Sequence, residues 1–168
     1  LQGLVMGSRS GDLDPSVLPH LVRTSDLTLD EVETALNRDS GLRGLAGEND
    51  LREVHRLADA GDADARLALE VYCYRIRLYV GAYYAALGRL DAVVFTAGVG
   101  ENDARVRRDA LAGLGGLGMV VDDELNTAPS RQARVISPED CRVAVLVVPT
   151  NEELEIAEEA VALVTGSR

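Results

Sequence analysis

The chain contains no lysine; all 17 of its basic residues are arginine. A composition bias accounts for most of that. A preference for bidentate phosphate recognition is the secondary reason. Positive charge is scarce altogether, for the formal net charge is −11. Such a surface repels phosphate backbones and anionic headgroups, which argues against a nucleic-acid or membrane partner. A local basic pocket for a nucleotide remains compatible with it. Cysteine is confined to Cys73 and Cys141, with no Cys-x-x-Cys. They read as reduced, buried packing residues of a cytosolic protein. The two histidines, His20 and His55, lack zinc spacing. No uninterrupted apolar run approaches membrane-spanning length. The first residues, Leu1-Gln-Gly-Leu-Val, have neither a basic n-region nor an initiator Met, so the chain reads as the middle of a longer one. There is no internal repeat, low-complexity segment or linker.

What is present is ordinary for a globular protein: 168 residues, 46% apolar and 27% charged. That is one domain or a large piece of one, enough to bury a core. Residues 1–13 form a Gly/Ser-rich loop. Asp14-Pro15 predicts an N-cap followed by proline in the first turn, with a short helix to about Val22, or one starting at Pro19. Thr28 with Glu31 spells a capping box for a helix ending near Asn37. Gly41 to Gly47 reads as a loop. Asp50 caps a third helix that Gly61 ends. Asp62 opens the longest helix, reaching about Leu87. Its apolar residues, Tyr72, Tyr74, Tyr83 and Tyr84 among them, cover most of the circumference, which predicts burial on several sides. A domain core and a subunit interface both fit.

The second half alternates strands and helices, which places the chain in the α/β class. Ala92 to Phe95 is a strand. It breaks into a glycine turn at Gly98 and Gly100, and a helical pattern follows from Asp103. Strand, glycine loop and helix together aim backbone N–H groups at one spot, where an anion can sit. On pattern alone that signal is weak, since every α/β protein turns from strand to helix somewhere. Met119-Val-Val121 and Arg134-Val-Ile136 read as short strands, with Asp122 to Pro129 a polar loop between them. Arg142 to Val148 reads as a strand buried on both faces. A final helix runs from Asn151 to about Leu163.

The letters of four stretches say more than the pattern. Phe95-Thr-Ala-Gly-Val-Gly-Glu-Asn102 resembles the adenosine-binding segment of the acetate kinases, members of the sugar kinase/Hsp70/actin superfamily. Met6-Gly-Ser-Arg-Ser-Gly-Asp-Leu-Asp-Pro15, Glu48-Asn-Asp-Leu-Arg-Glu53 and Pro149-Thr-Asn-Glu-Glu-Leu154 are similar to other motifs of that family, in its order and near its spacing. The resemblance implies that residues 1–168 are the C-terminal part of an actin-like ATPase (ribonuclease H-like) domain with a helical insertion. The N-terminal domain and a phosphate-binding hairpin would be missing.

Site residues follow motif by motif. Arg9 sits among residues too small to pack on it. By itself it reads as a surface arginine in a turn. The resemblance implies the arginine that faces the acetate carboxylate and the phosphoryl group in flight. Asp12 and Asp14 read as turn and cap residues. Asp50, Leu51 and Arg52 match the segment that holds adenine and ribose. By themselves they read as a cap and a solvated arginine. A guanidinium plane can stack on a purine, and a carboxylate can accept from ribose hydroxyls. Gly98, Val99 and Gly100 would approach the nucleotide through backbone. Asn102 would bond the base or cap the helix, and Glu101 is structural. Thr150 and Glu153 spell a capping box, which leaves Glu152 for the magnesium riding on the nucleotide phosphates, with Glu153 as the alternative.

The implied activity is reversible phosphoryl transfer from ATP to acetate, giving acetyl phosphate and ADP, in a cytoplasmic homodimer. Propionate or another short-chain acid is the alternative substrate. The chain alone is expected to be inactive, because the rest of the site lies elsewhere. A reading from a different class is a non-catalytic module that dimerises through the Tyr-rich helix.

Overall fold

The computed structural model describes residues 2–166. Leu1, which opens the segment read as lacking a signal profile, lies outside them. The chain divides into two compact units, Leu1–Arg89 and Leu90–Arg168.

The first unit is helical: α1 (Val17–Thr24), α2 (Leu29–Arg38), α3 (Gly41–Ala46), α4 (Leu51–Asp59) and α5 (Ala63–Leu87). The α2 capping box forms as its letters predict, with Thr28 accepting from the Glu31 N–H and the Glu31 carboxylate accepting from the Thr28 N–H. Asp50 and Asp62 cap α4 and α5, whose carboxylates accept from Arg52 and Ala65 N–H groups. Gly88 ends α5 in the left-handed conformation. The expected cap of α1 moves: Ser16 precedes the helix, and Asp14 instead folds a turn by accepting from the Ser16 N–H at 2.8 Å.

Two expectations fail here. Gly41 to Gly47 is not a loop but α3 followed by a left-handed Gly47. Leu42 is 2% exposed and joins Val54, Ala58, Ala65 and Ala68 in the unit's core, so burial overrides the weak helix propensity of the glycines. Nor is α5 buried on several sides. Only Ala65, Ala68 and Cys73 are buried in it, while Leu67, Tyr74, Leu78, Tyr83 and Leu87 are exposed. All five tyrosines belong to this helix.

The second unit holds a three-stranded sheet in the order β1 (Ala92–Phe95), β3 (Ala144–Val147), β2 (Arg134–Val135). β1 and β3 run parallel, Ala92 opposite Ala144 and Phe95 opposite Val147. A parallel pair needs a long crossover. Here it carries α6 (Ala97–Asn102), α7 (Ala104–Leu111), a 3-10 turn at Gly115–Leu117, α8 (Asp123–Thr127) and β2 itself. β2 is antiparallel to β3. After β3 comes α9 (Glu152–Thr165). Val106, Ala110, Leu111, Met119, Ile136, Val143, Val145 and Val147 are buried.

The structure corrects four details. Met119 makes only an isolated bridge to Val143, not a strand with Val120 and Val121. Asp122 to Pro129 contains α8, because the Asp122 carboxylate accepts from the N–H groups of Glu124 and Leu125. β3 is covered on one face only: Val145 and Val147 are buried, Ala144 and Leu146 half-buried. Cys141 is half-buried, its Sγ hydrogen-bonded to the Gly118 carbonyl at 3.0 Å, whereas Cys73 is buried as expected.

No helix among the described residues is long and apolar enough to cross a membrane.

Candidate functional site

In the helical unit the chain before Asp12 is pinned by its neighbours. Ser10 donates to the Leu36 carbonyl, Ser40 to Ser8, Leu42 to Met6 and Arg43 to Gly7, all through backbone N–H groups at 2.8–3.0 Å. Two of these donors are the N–H groups that the start of α3 leaves without helical partners. Gly41 makes the fit possible. Its φ is +62°, and a Cβ there would lie 2.1 Å from the Met6 carbonyl oxygen and 2.8 Å from that of Arg9. The loop so fixed presents Arg9. Its side chain is half-buried, and no described residue accepts from it or pairs with it.

The same loop lies against the start of α4: a Cβ on Gly7 would sit 3.0 Å from the Asn49 carbonyl oxygen. The structure therefore brings the Arg9 loop beside the Asp50–Arg52 segment. Asp50 is both cap and ion-pair partner. It accepts from the Arg52 backbone N–H at 2.9 Å, from Nε at 3.0 Å and from Nη2 at 2.5 Å. Those bonds hold the Asp50 carboxyl down at about 2. The two-point contact uses one edge of the guanidinium and leaves its flat faces free, with the Arg52 side chain 91% exposed. Leu51 is half-buried against the core. Asp50 thus does the capping that its sequence position predicts, and Arg52 is solvated yet oriented.

In the α/β unit the residues expected to form a glycine turn are helical instead. Gly98, Val99 and Gly100 all lie in α6. The sharp change of direction falls on Ala97, whose φ is +57°, a conformation costly for a residue with a Cβ. Gly100 is required by closeness: a Cβ would meet the Phe95 backbone carbon at 3.1 Å. At Gly98 a Cβ would meet nothing within 4 Å, so its space is open. Asn102 ends α6 by donating to the Gly98 carbonyl at 2.8 Å. It does not cap the next helix; Asp103 does, accepting from the Val106 N–H at 2.9 Å.

Glu101 ties this loop to the end of β3. Its carboxylate accepts from the Thr150 N–H at 2.9 Å and from the Thr150 hydroxyl at 3.0 Å, and these bonds lower its pKa. The expected Thr150–Glu153 capping box therefore does not form. Asn151 caps α9, accepting from the Leu154 N–H. Glu152 and Glu153 are both exposed in the first turn of α9, and no described residue engages either carboxylate. The capping argument that set Glu152 apart from Glu153 is gone. Among the described residues no group of three or more metal-ligating side chains converges.

Sequence reasoning passed over Arg107 and Asn126. Arg107 is 2% exposed. Its guanidinium donates to the Gly100 and Glu101 carbonyls at 2.9 and 3.0 Å, and to Asn126 Oδ1 and O at 2.7 and 2.8 Å. Asn126 in turn donates to the Ala104 carbonyl. The pair fastens the end of α6, where helix carbonyls lack partners, to α8. One signal for it lies in the letters: Arg107 falls three and four residues before Ala110 and Leu111, on the face of α7 that is buried.

Comparison with known proteins places this arrangement. The model of the acetokinase family matches residues 1–158. The acetate kinase of Streptomyces avermitilis is 60% identical over 164 residues, which is 98% of this chain and 40% of that protein. Among solved structures, an acetate kinase from Porphyromonas gingivalis superposes with a TM-score of 0.91 at 40% identity, over 97% of this chain and 41% of that one. A propionate kinase from Francisella tularensis gives 0.86 at 40% identity, over 94% and 40%. This chain spans about 40% of the length of the curated relatives it matches. With the family model covering all but the last ten residues, the chain belongs to the acetokinase family.

Proposed function

We propose that this chain is the C-terminal part of the nucleotide-binding, actin-like (ribonuclease H-like) domain of a kinase that transfers phosphoryl groups reversibly between ATP and acetate. The observation that carries the reading is Arg9: a half-buried arginine whose side chain has no partner among the described residues, on a loop locked by four backbone hydrogen bonds. Phosphoryl transfer asks a protein for positioned charge more than for covalent chemistry. Arg9 supplies that charge to the acetate carboxylate and the phosphoryl oxygens, bidentately.

The other roles divide by unit. Asp50, Leu51 and Arg52 hold adenosine, with the oriented Arg52 plane as a stacking surface for the base and Asp50 as an acceptor for ribose. Gly98 and Val99 approach the nucleotide through the backbone of α6, with Gly100 in the same segment, and Asn102 bonds the base. The open space at Gly98 and the strained Ala97 fit a segment shaped for a ligand. Glu152, or its neighbour Glu153, is the protein ligand for magnesium. One unengaged carboxylate fits that ion, which keeps waters and nucleotide phosphate oxygens for its other positions. Magnesium, when bound, neutralises phosphate charge.

Propionate is the second reading for the acyl substrate, favoured by the likeness to the Francisella tularensis propionate kinase. The family resemblance supports a cytoplasmic homodimer. Arg9 is one transition-state charge where the reaction needs several, so the chain on its own is inactive. An acetyl-hydroxamate assay with ATP, magnesium and acetate, run beside Arg9→Ala, tests this. No turnover by either is expected. Turnover abolished by Arg9→Ala would overturn the claim of inactivity and leave the role of Arg9 standing.

A further inference from the structure

A second concentration of positive charge lies in the α/β unit and takes no part in the roles above. α7, α8 and the segment leading into β2 enclose an open cavity of about 510 Å³. Arg107, Arg131 and Arg134 line it, together with Asn126, Ser130 and Glu101. In a chain of net charge −11, three guanidiniums on one cavity are unexpected.

No carboxylate among the described residues hydrogen-bonds to Arg107 or Arg134, although the Asp103 charge acts on Arg107 and partly offsets the lowering of its pKa. The Glu101 carboxylate is taken by Thr150. Arg107 bonds only carbonyl and amide oxygens, and burial together with the Arg134 charge lowers its pKa. Arg134 is the less satisfied of the two. Its Nη1 makes one long contact, 3.5 Å to the Ser130 carbonyl, and its Nε is buried with no acceptor among the described residues. A half-buried guanidinium has five donors and normally finds acceptors for them. Arg131, by contrast, is exposed beside it.

We propose that this cavity binds a small oxyanion, the chemistry of a phosphate group, through Arg134 and Arg131, with Arg107 adding long-range charge. Guanidinium forks match the tetrahedral oxygens of phosphate, and an anion between Arg107 and Arg134 removes their mutual repulsion. Because Glu101 and Asn102 also line the cavity, an anion here sits behind α6 and biases the segment assigned to the nucleotide. The proposal stands on the cavity and does not depend on that assignment.

Inorganic phosphate titrated calorimetrically into the 168-residue chain tests it. Saturable binding of one phosphate per chain is expected. Arg134→Gln should weaken it at least tenfold and Arg131→Gln several-fold, while Arg23→Gln, on α1, leaves it unchanged. Arg131 is exposed, so its variant reports even where Arg134→Gln disturbs folding. Heat absent from the unaltered chain overturns the proposal. Binding insensitive to Arg131→Gln and Arg134→Gln does so too. A repeat with MgATP present separates the two sites: competition would make the cavity part of the nucleotide's own site and sink the claim of a separate one.

Discussion

Arg9 and Arg52 show two ways of holding a guanidinium ready. Arg9 is kept by backbone: its loop is fixed and its side chain has no partner among the described residues. Arg52 is kept by a side chain, Asp50, which fixes its plane while leaving it in solvent. The consequences of removal differ accordingly. Arg9→Ala should leave the thermal midpoint of the chain unchanged. In a full-length protein carrying this segment, it should lower kcat by roughly 10³-fold or more, with the KM for ATP little altered. Steady-state kinetics beside a melting curve distinguish this from a turn arginine without function, whose loss would change neither. At this scale the sequence was informative about identity and poor about geometry. The letters around Arg9, Asp50 and Gly98 were enough to suggest a family. They did not show that Glu101 would capture Thr150, since a contact across 49 positions leaves no local trace.

Elements explain how those residues are placed, and Gly41 is where that can be tested hardest. A side chain there meets the Met6 and Arg9 carbonyls and is strained at φ +62° besides. Gly41→Ala should cost about 3 kcal/mol or more and displace the Arg9 loop. A denaturant melt gives the first quantity, and hydrogen exchange at Ser10 and Leu42 gives the second. In α6 the paired changes have opposite signs. Ala97→Gly relieves a left-handed alanine and should gain up to about 1 kcal/mol. Gly100→Ala presses on Phe95 and should lose about 1–3 kcal/mol. Equal effects of the two would contradict the strain assigned to Ala97.

Asp12 ties the first loop to α5, accepting from the Gly3 N–H at 2.7 Å and the Tyr79 hydroxyl at 2.5 Å, with Arg75 at 3.3 Å. The Tyr79 bond is the main reason its pKa falls below the ordinary 3.8. A lowered folded value means stability that is complete above the ordinary value and lost as pH falls through the folded one. The melting difference between the chain and Asp12→Asn should therefore be constant near neutrality and shrink below about pH 4. Helices with caps, such as α2 and α5, were legible because the capping signal is local. α3 and α8 were missed because Leu42 and the Asp122 cap outweighed the surrounding glycine and polar letters.

For the molecule as a whole, the second half's parallel β1–β3 pair follows from the alternation of strands and helices in the sequence. The burial of α5 could not be read that way. Apolar letters report what a surface is suited to cover, and this helix keeps Tyr74, Tyr83 and Leu87 in solvent. α9 does the same with Ile156, Leu163 and Val164. So much apolar surface on a chain spanning about 40% of its relatives should make it bind a hydrophobic dye strongly in the folded state.

The central claim is that these residues form a nucleotide-binding piece of a kinase. Calorimetric titration of MgATP into the 168-residue chain tests it most directly. Saturable binding of one nucleotide per chain is expected, weakened about tenfold or more by Arg52→Ala through loss of the stacking surface. No saturable heat, or the same affinity in the Arg52→Ala variant, would contradict it.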